Sequence, residues 1–403
     1  MNYFGLIIFY TIGFVILYIE PISIGNINFG ILWKLILVFV LFIPIIYTTF
    51  KKKYMEMFAF ITIVFAFKTL ISYSSLDYII NTITIFTKTL MLPILYLFFI
   101  LKLKEGTLRY LAKHFSILIV LSFVPYMVGI LTPLKLGYDL TPFGMDGQYG
   151  LIGPFLNPHS ASISIAFAMI VITGQINKLN KSFENLFYIS LLILGFYELI
   201  MTYVRTGIMV YLVSLLFLYL QNINFKKVLL LILTGITLFA GSIYLISTSE
   251  VAQMRFQDKN KYMTESDIGS GRFEFWQAAV ENWLDDDPSV IFIGLGEEYA
   301  KDKMLEDVGL RIFAHNDFFQ TLQQEGLIGI ALFLTSLFLM YRFIKRNKTS
   351  IYYSTAMALF LAILSMMMFQ GGFYFNIVFL LSIYLALLKL DYLKKINLKK
   401  VKS

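Results

Sequence analysis

The sequence predicts an all-α fold: a polytopic membrane helical bundle of about twelve transmembrane helices with one large, partly helical extracytoplasmic loop. Three observations predict it. First, of 403 residues 58% are hydrophobic and 14% charged, where soluble domains carry about 25% charged residues. Second, apolar runs of spanning length recur along the chain. Third, basic residues cluster after every second run, as the positive-inside rule requires.

Candidate spans lie at 3–19, 29–50, 54–72, 79–101, 114–132, 158–175, 186–204, 207–220, 228–247, 327–344, 351–369 and 375–390. The first run lacks a basic leader and a small-residue cleavage site, so it reads as a spanning helix. The pairs 186–204 with 207–220, and 351–369 with 375–390, read as helical hairpins because so few residues separate them. Three units follow: 1–247 with nine spans, the loop 248–325, and 326–403 with three spans and a basic tail.

Basic clusters follow the even-numbered spans. They are Lys51 to Lys53; Lys102, Lys104, Arg109 and Lys113; Lys178 and Lys181; Lys226 and Lys227; Arg342 to Lys348; and the tail from Lys394. Short loops after odd spans are nearly free of them, Lys135 and Arg205 excepted. Both termini are therefore expected in the cytoplasm and the large loop outside. The net charge of +8 has this cause, so nucleic acid is not an expected partner. Zero cysteines exclude disulfides, zinc–thiolate sites and a cysteine nucleophile. With three histidines, no metal site and no cofactor is expected.

Two outer segments stand out, 133–156 and the large loop. A loop that long has its own structure and function. Within it, Arg272 to Trp283 is expected to be helical, with Ser270 as N-cap between Gly269 and Gly271. A second helix is expected from Asn316 to Gln324, leading into the span at 327–344.

The candidate chemistry lies on this outer side. Arg205 defies the charge alternation. Glu198, seven residues earlier, shares its helical face, so the two are either a structural pair tying the hairpin or part of an anion site. Arg272 follows two glycines at a helix start, where free N–H groups and a bidentate guanidinium suit phosphate. His315 and Asn316 open the second loop helix, with Arg311 four residues before. Histidine is the side chain best able to take a proton near neutral pH. Lys88 lies mid-span with Asn81 and Thr84 and is expected to point into the bundle. Lys34 and Lys68 read as snorkelling lysines, and Asp285 to Asp287 as a solvated turn.

These pieces together resemble the O-antigen polymerase and O-antigen ligase superfamily of bacterial surface-polysaccharide enzymes. The matching motifs are GPFLNPHSAS, YVRTG, GSGRFEFW, GLGEE and HNDFFQTLQQEGLIGI, covering residues 153–330. Where the family often has Asn, this chain has Pro158–His159, and no role is carried to those two. The resemblance implies a membrane-embedded inverting glycosyltransferase of the bacterial cytoplasmic membrane, acting on a glycan carried by a polyprenyl diphosphate at the outer leaflet. Arg205 and Arg272 would bind the diphosphate, and His315 would assist the acceptor hydroxyl or hold the phosphate. Arg311, Asn316, Glu198 and Lys88 are the further substrate-binding candidates. Implied partners are the lipid-linked oligosaccharide and membrane lipid, with a chain-length regulator and a flippase. Polymerase is favoured over ligase. A flippase is the alternative of another class, but it would show repeated halves and more cations deep in the bundle. A non-catalytic scaffold would not need the arginine and histidine constellation.

Overall fold

The computed structural model describes residues 23–24, 27–28, 55–71, 79–131, 150–155, 157–176, 182–220, 244, 272–284, 287–369, 371 and 375–402. The expected spans at 3–19 and 29–50, and all but Tyr244 of that at 228–247, lie outside the described residues, as do Ser270, Asp285 and Asp286.

The described elements are nearly all helical. They are α1 (Met57–Ile71), α2 (Ile79–Lys102), α3 (Glu105–Leu121), α4 (Val124–Met127), α5 (Pro158–Ile176), α6 (Ser182–Met201) and α7 (Arg205–Leu220). The loop contributes α8 (Arg272–Leu284), α9 (Pro288–Ile293) and α10 (Glu297–Val308). Then come α11 (Asp317–Arg346), α12 (Tyr353–Met367) and α13 (Phe375–Lys402). A two-residue antiparallel ladder pairs Ser23 with Asn28 and Ile24 with Ile27.

Six helices among the described residues are long and apolar enough to cross a membrane, and three shorter apolar helices accompany them. Each of the nine falls on an expected span. Two boundaries differ from the sequence reading. The span expected at 114 begins at Glu105, because hydropathy marks the apolar stretch whereas the helix also includes an amphipathic start that buries Leu108, Leu111 and Ala112. The basic tail is not a separate segment: α13 continues as helix through Lys402.

The core is built around α5 and α13. α5 is buried almost all round from Ala161 to Gly174, and α13 is buried from Phe375 to Leu388. A helix apolar on every face belongs inside. α6 is the opposite case, with Phe183, Leu186, Phe187, Ile193 and Tyr197 exposed, a surface suited to lipid. α1 packs on α2 and α11, α13 on α2, α5 on α6 and α7, and α7 on α12. α5 and α7 cross closely: a Cβ on Gly207 would lie 1.9 Å from Ser162 Oγ and 2.9 Å from its carbonyl oxygen.

The bundle has two chemically distinct ends. At one, Glu56 pairs with Lys389 and, at 3.2 Å, with Arg346. There Glu105 accepts from the Tyr352 hydroxyl at 2.5 Å and lies 3.9 Å from Lys394. These partners flank the basic clusters that follow even spans. The opposite end gathers the last turn of α1, the α6–α7 turn, the loop helices and the start of α11.

The loop helices have a small core of their own, in which Phe275, Ala278 and Met304 pack with Trp276, Val308, Leu310 and Ile312. The loop is joined to the bundle through α11. This helix runs from Asp317 to Arg346 but is broken at Gly326, with φ 65° and ψ −168°. Gly294, at φ 92°, lies against this break: its Cβ would meet Gln324 O at 2.3 Å. Leu295 and Gly296 donate their N–H groups to Gln323 O and Gln324 O, both at 2.9 Å. Both Gly294 and Gly326 are thus fixed by backbone conformation and by backbone contact. We expect Gly294→Val to remove folded protein from the membrane fraction. The strained φ alone costs about 1–3 kcal/mol, and the neighbouring backbone cannot retreat. Thermal unfolding of the detergent-solubilised variant checks this; a melting temperature equal to wild type would contradict it.

Candidate functional site

Three helices begin at this second end of the bundle, and each begins at a candidate residue. Arg205 is the first residue of α7 and Arg272 the first of α8. His315 and Asn316 immediately precede α11. Each start carries the positive end of a helix dipole, and its first N–H groups have no partner within the helix.

The turn that delivers Arg205 is tight. α6 ends at Met201, Thr202 N bonds back to Glu198 O at 3.1 Å, and Tyr203 takes a positive φ of 54°. Leu151 N donates to Met201 O at 2.8 Å, and Ser162 Oγ donates to Val204 O at 3.4 Å. The GPFLNPHSAS and YVRTG segments are therefore neighbours in space. Asn157 caps α5 by accepting from Ser160 N at 2.7 Å.

His315 is the only other described non-glycine residue with positive φ, at 52°. Such conformations are costly and persist where the surroundings enforce them. Here the enforcement is Asn316. Its Oδ1 accepts from Phe318 N at 2.9 Å and Phe319 N at 3.3 Å, a full N-cap. Its Nδ2 donates to Met368 O at 3.2 Å, tying the loop to the end of α12. The His315 ring lies 6.3 Å from that of Phe275, and Trp276 lies 5.6 Å from Phe319. α8 and the start of α11 therefore meet through tilted aromatic contacts.

Electrostatics places the three candidates together. Burial lowers the Arg272 pKa, and the positive charge of Arg205 lowers it further. Burial also pushes His315 down to about 4, and the charge of Arg272 adds to that. Among the described residues Arg272 has no carboxylate partner, and its guanidinium lies 5.9 Å from the Phe369 ring centre. The cluster is thus an electropositive site that holds a neutral imidazole beside an arginine with no described acid to neutralise it.

Other candidates fall elsewhere. Arg311 donates to Asp302 at 2.8 Å and to Glu298 at 2.6 Å. These hydrogen bonds raise its pKa, that to Asp302 most. Lys301 bonds the same Glu298 at 2.9 Å and Glu297 at 2.6 Å, and lies 4.4 Å from the Phe313 ring centre. Arg311 therefore belongs to the α10 ion-pair network, and its fork is already engaged by carboxylates. Lys88 is exposed on α2 rather than turned into the bundle, because the inward face of that helix is filled by Leu90, Met91, Ile94 and Leu95.

Of the two readings of Glu198 and Arg205, the structural pair does not form. Arg205 is exposed, whereas Glu198 is 0% exposed and neither carboxylate oxygen has a hydrogen-bond partner among the described residues. The helix ends between them, and the turn at Thr202–Val204 carries Arg205 off the face that Glu198 occupies.

Lys68 departs furthest from its expected place, because it does not snorkel. It is 8% exposed, and its Nζ donates to Glu325 Oε2 at 2.8 Å, to Glu325 O at 2.6 Å and to Ile293 O. The signal for this in the sequence is a lone lysine near the outer end of one apolar span and an acid at the outer end of another.

Residues 190–334 match the family model described as O-antigen ligase. This segment contains Glu198, Arg205, Arg272, Arg311, His315 and Asn316, and it ends within α11. No curated protein matches the chain.

Proposed function

We propose, from the match of residues 190–334 to the O-antigen ligase family model, that the chain is a member of the O-antigen ligase and polymerase superfamily and a polymerase of lipid-linked oligosaccharide repeat units. Members of this family are membrane glycosyl-transfer enzymes. The observation that carries the reading is the convergence of Arg205, Arg272 and His315 at three helix starts, with Arg272 lacking a carboxylate partner among the described residues.

In this reading the donor is a glycan on a polyprenyl diphosphate. The transfer breaks the bond between the anomeric carbon and the phosphate oxygen and forms one to an acceptor hydroxyl on the opposite face, with inversion. Charge builds on the departing diphosphate. Arg205, Arg272 and the helix N-termini are fixed donors aimed at such charge, which is the most effective form of electrostatic stabilisation. His315, neutral above about pH 4, takes the acceptor's proton. No residue has to be a metal ligand for this chemistry. The prenyl tail has lipid-facing surfaces such as that of α6 to lie along.

The end with Glu56, Glu105 and the basic tail is read as cytoplasmic, in line with positive-inside. The site then faces the outer leaflet of the bacterial cytoplasmic membrane, where a flippase would deliver the donor and a chain-length regulator would act.

The deciding experiment is a gel profile of glycans from a deletion strain with and without the wild-type gene. Single repeat units without long chains in the deletion strain support a polymerase. Long lipid-linked chains that never reach their anchor would mean a ligase. Repeat units trapped in the cytoplasmic leaflet would mean a flippase and overturn the transferase reading.

Glu198 has the remaining place in this proposal. A buried carboxylate with no described partner, in a span ending at the site, is suited to meeting a polar group of the bound glycan. Glu198→Gln is expected to raise KM several-fold with little change in kcat in a purified transfer assay. An unaltered KM would remove Glu198 from the site.

A further inference from the structure

The cation at the junction of loop and bundle has a role that the transfer chemistry does not itself require. Lys68 sits in the last turn of α1, far in sequence from the residues it binds. Its ammonium meets Ile293 O, which ends α9, and Glu325 O, which ends the first segment of α11 before the Gly326 break. The free carbonyls at a helix C-terminus carry partial negative charge, and a cation is favourable there. Two such ends converge on one Nζ, and the Glu325 carboxylate joins them at 2.8 Å. Lys68 and Glu325 are both buried, and a buried charge left without its partner is strongly destabilising.

The position of this junction gives it a consequence at the site. The segment from Asp317 to Glu325 is a rigid helical rod, about 13 Å long at 1.5 Å per residue. Its C-terminal end is held by Lys68. Its N-terminal end is capped by Asn316, and His315 stands just before the cap in its left-handed conformation. A rod fixed at one end and tied to Met368 O at the other has little freedom to tilt. Loss of the Lys68 contacts leaves that end tied by the Leu295 and Gly296 N–H bonds to Gln323 O and Gln324 O, so the rod is expected to pivot there and to displace the His315 ring relative to Arg272.

We propose that Lys68, with Glu325, is a positioning residue: an internal cation in the first half of the chain that sets the place of His315 in the second. The inference rests on the reading of His315 as a transfer residue, but part of its test does not. The chain has no cysteine, so one introduced thiol reports cleanly. Ala314 is 1% exposed and adjoins His315, which makes Ala314→Cys the reporter.

In membranes, Lys68→Met is expected to speed maleimide labelling of that thiol at least tenfold. In the Ala314 background it is expected to lower kcat for glycan transfer by thirtyfold or more while KM for the donor holds. Lys68→Arg, which keeps the charge and can reach the same carbonyls, is expected to restore most of both. Glu325→Gln leaves the carbonyl acceptors in place and should give an intermediate effect on each readout. It decides the matter if Lys68→Met does not accumulate in the membrane. Unchanged labelling, or unchanged kcat, overturns the proposal. Wild-type transfer by His315→Ala would instead overturn the transferase reading of the site, and the labelling result would not depend on it.

Discussion

Arg272→Ala is expected to lower transfer by about 10²–10³-fold, the usual cost of removing one fixed donor from a site where charge develops. The loss should fall on kcat more than on KM, because the diphosphate carries most of its new charge in the transition state. Arg272→Lys keeps the charge but loses the fork and should recover only part of the rate. Single-turnover transfer from a purified lipid-linked donor, with membrane levels checked by immunoblot, measures this. Three features make Arg272 the most sensitive position. It is half-buried, it opens a helix, and among the described residues it has no acid to share its charge. Arg311, engaged by Asp302 and Glu298, should behave differently. Wild-type activity in Arg272→Ala would remove it from the site.

His315 gives the second large effect and a pH signature. Burial and the Arg272 charge hold its pKa at about 4, below the usual value near 6.5. The free enzyme therefore keeps a neutral, proton-accepting imidazole through the neutral range. The expected kcat/KM profile is level from pH 8 to about 5 and falls only as the pH approaches 4, since that profile reports groups of the free enzyme. The proposed donor, a diphosphate diester, has ionised oxygens that do not titrate in this window. Stability follows with the same sign. The unfolded chain protonates this histidine near 6.5 and the folded chain near 4, so the unfolded state binds more protons between those values. Stability contributed by the neutral form is thus present above 6.5 and lost as the pH falls toward 4. His315→Gln should cost about 10²–10⁴-fold in rate, the range for a lost general base, and should abolish the acid limb near 4. An acid limb near 6.5 in wild type would mean that the site does not hold the imidazole pKa down, and an acid limb that survives in His315→Gln would mean that the imidazole is not the base.

Both predictions concern residues that can be named from the sequence, and the reason is chemical. Arg205 follows an odd-numbered span, where the sequence has few basic residues, Arg272 follows glycines at a helix start, and His315 precedes a helix-capping asparagine. Each signal is local. The starts of α8 and α11 are legible for the same reason. So is the Gly-rich GLGEE stretch, although not its purpose, which is to let the Gly294 backbone lie against the break at Gly326.

Signals that span the chain are less legible. Glu198 and Arg205 share a face only while one helix continues, and the turn at Tyr203 separates them. Polar neighbours flank Lys88 and suggest an inward place, yet apolar side chains fill the inward face of α2. Arg311 has the appearance of an available donor until the fold of α10 brings Glu298 and Asp302 back to it.

The sequence by itself determined the membrane class, the positions of the described spans to within a few residues at most boundaries, and the residue types able to bind a diphosphate. Hydropathy and helix-start chemistry are properties of a few consecutive residues, so they survive without a fold. Only the tertiary structure decided which charges pair with one another. Lys68 and Glu325 are 257 positions apart, and their pairing depends on the packing of α1 against α11. Whether a charge is neutralised depends on what lies within a few ångströms of it, and in this chain those neighbours come from distant helices.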